Sequence, residues 1–129
     1  MPHIDTLLDQ LDTLRRECEA AMLDYTGSAT MCQIHKDGRV TGGLKYQEGR
    51  LVVLGSVIRQ IRQLAQDDSL PGLLDGSLTA EAARWSAQLA RYQAAERPAI
   101  IWVAYSQGGL DTVQEIQHGL LETSIMSEQ

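Results

Sequence analysis

Apolar residues recur at Ile4, Leu7, Leu11, Leu14, Cys18, Ala21 and Tyr25, in alternating steps of three and four. Only an α-helix, at about 3.6 residues per turn, brings positions so spaced onto one side. The pattern predicts a helix from about Ile4 to Tyr25 carrying three heptads of a and d positions. Leu8 and Met22 fall at e and widen the stripe beyond the narrow seam of a two-stranded coiled coil. A stripe of this width packs in a globular bundle or against a second copy. Leu7, Leu11, Leu14 and Cys18 are therefore candidate interface residues. Gly27 follows the helix and supplies a left-handed stop.

The remaining pattern is mixed. Thr30 to His35 alternates weakly and ends at Lys36-Asp37-Gly38-Arg39, where Asp-Gly between strand-like runs signals a hairpin turn. The return strand runs from Val40 to about Tyr46, with Gly42-Gly43 marking a bulge. From about residue 50 to 66 the period becomes helical, because Leu51, Leu54, Val57, Ile58, Ile61 and Leu64 share a face. Gly55 costs that helix about 1 kcal/mol unless a neighbour packs closely on it. Asp67-Asp68-Ser69-Leu70-Pro71-Gly72 carries loop chemistry, and Asp75-Gly76 repeats the signal. Thr79 is a candidate N-cap for a third helix reaching about Glu96, with Leu78, Ala82, Trp85, Leu89 and Tyr92 inward. Ala99 to Tyr105 is short, apolar, β-branched and aromatic, which reads as a buried strand. Ser106 to Gly109 then turns the chain into a last helix from about Asp111 to Glu122.

These elements predict an α+β fold. A small antiparallel or mixed three-stranded sheet, made of the hairpin at about 30–46 and the strand at about 99–105, packs with four helices. The length of 129 residues fits a single domain spanning 1–129.

Composition narrows the function classes. An apolar share of 43% excludes a disordered chain, and no apolar run approaches the roughly 20 residues of a membrane span. Two cysteines, Cys18 and Cys32, do not make a disulfide scaffold. The N-terminus shows no basic region followed by an apolar stretch, so the expectation is a small soluble protein of the reducing cytoplasm. Phe is absent and aromatics total 5%, few for a surface that stacks bases or sugars. His3, His35 and His118 are too scattered for a metal site, and no cofactor is expected.

The net charge of −6 is unevenly spread. Residues 1–30 carry two Arg against six acids, residues 31–62 carry six basic residues against two acids, and residues 63–129 carry three Arg against nine acids. The basic middle is read either as internal complementarity between packed elements or as an anion- or partner-binding face. In the second reading Lys36, Arg39, Arg50, Arg59 and Arg62, with Lys45, form the face.

Three stretches resemble known families. Ala104-Tyr105-Ser106-Gln107-Gly108-Gly109 resembles the nucleophile elbow of α/β-hydrolases such as cutinases, with Ala at the first Gly. That resemblance implies Ser106 as nucleophile and the Gln107 backbone N–H as oxyanion donor. The elbow also needs a later His, and His118 lies three turns along the following helix, aimed away. The segment Ile34 to Leu64 resembles the opening of roadblock and profilin-like domains, over a quarter of the chain and without a diagnostic residue. Met1-Pro2-His3-Ile4 resembles the start of tautomerases that use an N-terminal proline, but those enter a strand where this chain has helical heptads.

The leading expectation is a non-catalytic cytoplasmic adaptor or regulator acting through protein–protein contacts as a homodimer, with an acidic protein as a further partner. The second is an anion-, phospho-ligand- or nucleic-acid-binding module on the basic face, with nucleic acid least favoured by the overall acidity. The third is a compact serine hydrolase centred on Ser106.

Overall fold

The computed structural model describes residues 2–26, 41–64, 70–96 and 99–121, and every regular element among them is a helix. We number them α1 (Pro2–Thr26), α2 (Thr41–Leu64), α3 (Leu70–Gln93) and α4 (Ile100–Glu115), with a π-helical turn at Ile116–Leu121. The expected α+β sheet is thus overturned for 41–46 and 100–105, which are helical, with Ala99 as the N-cap of the second stretch; residues 30–40 of the hairpin lie outside the described residues.

The first helix forms as its spacing requires. Ile4, Leu7, Leu11 and Cys18 are buried, and Leu8 and Leu14 pack against the same core. Asp5 in the first turn complements the positive end of the helix dipole.

The second helix begins nine residues earlier than its apolar period suggested. Leu44 is fully buried and continues the face of Val53, Leu54, Val57, Ile58 and Ile61 backwards. The third also starts early. Leu70, Leu74 and Leu78, one turn apart, are all buried, and that stripe overrides the turn signals of Pro71-Gly72 and Asp75-Gly76. Proline costs little in a first turn, where its missing N–H has no partner to lose. Thr79 is no N-cap: its hydroxyl donates to the Asp75 carbonyl one turn back, 3.0 Å away.

The predicted strand from Ala99 to Tyr105 is the start of α4. Its residues are not sealed on both faces as a core strand would be, since Ile100 is 74% exposed and Trp102 40%. The expected turn at Ser106–Gly109 is the middle of the same helix, with Ser106, Gly108, Gly109, Thr112 and Val113 buried. β-propensity reports how a residue suits a half-buried sheet, and with no partner strand among the described residues it has nothing to act on.

α2 makes its most extensive contact with α4, while α1 packs chiefly on α2 and α3 chiefly on α4. Lys45 meets Trp102 and Arg50 meets Glu115, so α2 and α4 run in the same direction. Tyr92 meets Trp102, Gln88 meets Ser106 and Thr79 meets Gln117, so α3 runs against α4. Glycines set the closeness of the central pair. A Cβ at Gly49 would overlap the Tyr105 carbonyl, and one at Gly108 would overlap the Tyr46 carbonyl. The two backbones touch there. Leu11, Leu54, Ile61, Leu74, Leu78, Val113 and Ile116 are fully buried around this pair, each side chain contributing roughly 1.5–3 kcal/mol.

Candidate functional site

Aromatic residues are few, but four of the six gather where α3 and α4 meet. Trp85 and Tyr92 stand seven residues apart on one face of α3, and Trp102 and Tyr105 three apart on α4. Ring centroids are 5.5 Å apart for Trp85–Tyr105, 5.6 Å for Trp102–Tyr105 in an edge-on arrangement, and 6.4 Å for the stacked Tyr92–Trp102 pair. Such pairs add about 0.5–1.5 kcal/mol each beyond burial. Gly109 forms the floor, because a Cβ there would stand 2.5 Å from the Trp85 ring.

Two cations flank the outer rings. Lys45 Nζ lies 5.1 Å from the Trp102 centroid and also pairs with Glu48 at 2.9 Å. The Arg91 guanidinium lies 5.5 Å from the Tyr92 centroid. Cations over ring faces are held by the ring quadrupole. The result is an apolar end of the bundle with Trp102, 40% exposed, as its outward edge beside Lys45.

Beside it, Tyr46 donates to Asp111 Oδ2 at 2.7 Å and Gln107 Nε2 donates to Asp111 Oδ1 at 2.6 Å. Burial raises the Tyr46 pKa above its ordinary value, the Asp111 hydrogen bond and charge raise it further, and Arg50 opposes them. Arg50 pairs with Glu115 at 3.1 Å, and its Nε donates to Cys18 Sγ at 3.3 Å. Burial disfavours the Arg50 charge, but Cys18 and Glu115 outweigh it and leave its pKa raised.

The elbow residues do not form an elbow. Ser106 is fully buried in mid-helix, and Gln88 Nε2 donates to its hydroxyl at 2.9 Å. The Gln107 backbone lies inside α4, and its side chain is committed to Asp111. A nucleophile needs access to substrate, and Ser106 has none. His118 sits on the π-helical turn beyond α4.

The basic residues are dispersed as well. Lys36 and Arg39 lie outside the described residues, and Arg50 is turned inward on Glu115. Arg59 and Arg62 remain exposed on α2. Leu7, Leu11 and Cys18 are buried and Leu14 is half-buried, all against this chain's own core, which accounts for the stripe without a second copy. Among the described residues, no group of three or more His, Cys, Asp or Glu is placed to hold a metal, and no helix is long and apolar enough to cross a membrane.

A cleft of about 380 Å³ opens between α1 and the end of α4, lined by Thr6, Asp9, Gln10, Thr13, Leu14 and Glu115. Thr13 donates to the Asp9 carbonyl of its own helix, and Glu115 is occupied by Arg50.

Ile100, Tyr46 and Asp111 were not singled out from sequence. The seven- and three-residue spacings of the aromatics were the available signal for the cluster as a whole. No protein-family model, curated protein or solved structure matches the chain.

Proposed function

We propose that this chain is a non-catalytic cytoplasmic interaction protein, an adaptor or regulator that works as a homodimer and contacts other proteins through the aromatic end of the bundle. The observation that carries the reading is Trp102, left 40% exposed on a packed and cation-flanked cluster. Tryptophan gives large contact area at little cost in conformational freedom and is enriched among residues that dominate binding energy. Tyr92, Tyr105 and Lys45 already hold the ring, so little ordering remains to be done on contact. The burial of Ser106 and its bond to Gln88 weigh against the hydrolase alternative.

Site-specific photo-crosslinking in the native host tests the reading. A crosslinker at Arg91 captures a defined protein partner, the same group at Arg16 does not, and Trp102→Ala abolishes capture while helicity is retained. Equal capture from both positions, or capture unchanged by Trp102→Ala, rejects this surface. Light scattering on the purified chain tests the dimer separately.

A further inference from the structure

The charges of α1 and α2 should attract, yet the fold leaves them apart. α1 carries six acids against two Arg, and α2 carries four basic residues against Glu48. The helices pack together, but among the described residues no ion pair joins them; their polar link is Arg50 to the Cys18 sulfur. The Arg residues of α1 are both held by Asp12 on the same helix. On α2, Lys45 is paired with Glu48 and Arg50 with Glu115. What is left is Arg59 and Arg62 on an outward face of α2, and Asp5 and Asp9 on an outward face of α1, all exposed and none in an ion pair among the described residues.

The two leftover sets match in spacing. Arg59 and Arg62 are three residues apart and Asp5 and Asp9 four, so each pair spans about one helical turn on one side of its helix. The remaining acids do not offer this. Glu17 and Glu19 project to opposite flanks of α1, and Asp24 stands seven residues from Glu17 and five from Glu19, so no two of these share one turn of a face. The α2 face is also open to a close neighbour, since Val52 is 48% exposed and a Cβ at Gly55 would meet nothing within 4 Å.

We infer that the α2 face of Val52, Gly55, Arg59 and Arg62 receives α1 of a second copy, Asp5 and Asp9 of one chain meeting the two arginines of the other. α1 and α2 are neighbours in each chain, so a two-fold axis makes the same contact twice and closes the assembly. The inference rests on the homodimer proposed above and moves its interface from the buried heptad stripe to the charged outer faces.

Sedimentation equilibrium of the full chain at low and high salt is the test. The wild-type dimer weakens as salt rises, and Arg59→Glu with Arg62→Glu raises the dissociation constant about tenfold or more, as does Asp5→Arg with Asp9→Arg. An equimolar mixture of the two variants restores dimerisation, because every pair in the mixed dimer is again of opposite sign. Circular dichroism checks that each variant keeps its helices, and Arg59→Gln with Arg62→Gln gives a milder weakening. A wild-type chain that stays monomeric rejects the homodimer and this interface together. A dimer indifferent to all three variants keeps the homodimer and rejects this interface. Weakening by the arginine variants without recovery in the mixture rejects α1 as the occupant.

Discussion

Gly49 of α2 faces the Tyr105 carbonyl of α4 at the point where the two helices cross, and a hydrogen stands where any other residue would place a Cβ. Gly108 does the same against the Tyr46 carbonyl. Glycine in a helix costs about 1 kcal/mol relative to alanine, so both positions carry an intrinsic penalty that close packing must offset. Gly49→Ala and Gly108→Ala should therefore each destabilise by roughly 2 kcal/mol or more, since neither backbone can yield without moving a helix. Gly55→Ala and Gly76→Ala, at helical positions with nothing within 4 Å, should instead stabilise by about 0.5–1 kcal/mol. Urea denaturation with an unchanged m-value reads all four. The same sign at all four positions would contradict the crossing.

Ser106 should be chemically silent. Its hydroxyl is buried and accepts from Gln88, so a fluorophosphonate probe should form no Ser106 adduct in the folded chain. Ser106→Ala should cost about 1 kcal/mol of stability, because the Gln88 amide loses its acceptor. An adduct at Ser106 would show that the middle of α4 opens to solvent.

That contrast explains how much could be read from the sequence. Ile4 to Tyr25 was legible as a helix because three heptads leave no other geometry, and the helix observed is Pro2–Thr26. Leu51 to Leu64 is legible for the same reason, but Gly42 and Gly43 read as a strand bulge, and the contribution of Leu44 is hidden behind them. Glycine has two uses, freedom of backbone angle and absence of a side chain, and local sequence does not tell them apart. At Gly49, Gly108 and Gly109 the second one matters, and it depends on a partner helix distant in sequence. Ala99 to Tyr105 reads as a strand because a short β-branched and aromatic run has no decisive period of its own. The aromatic cluster stayed invisible for a related reason. Trp85 and Trp102 are seventeen residues apart, and what brings both to Tyr105 is the antiparallel packing of α3 on α4.

The heptad stripe should behave as core within a single chain. Leu11 is fully buried, and Leu11→Ala should cost about 2–5 kcal/mol, whereas Leu14→Ala, at a half-buried position, should cost less. Because the neighbours of Leu11 belong to its own chain, the loss should be the same at about 1 and about 100 µM protein, where a stripe buried only by dimerisation would show a concentration-dependent loss. Leu11→Asp should unfold the chain, since a carboxylate in this core has no partner.

Alkaline pH should weaken the fold through Tyr46. Burial and the bond to Asp111 raise its pKa above the ordinary 10.0, so the folded state keeps the phenol proton where the unfolded chain has begun to lose it. Below about pH 10 the stabilisation is complete, and it is lost as pH rises through the folded-state pKa. Stability measured by denaturation should fall with pH above that point, and Tyr46→Phe, which has no proton to lose, should show a shallower fall. The same variant should delete the late part of the tyrosinate absorbance titration of the native protein. Equal slopes for the two proteins would mean that the Asp111 carboxylate does not hold the Tyr46 proton in solution.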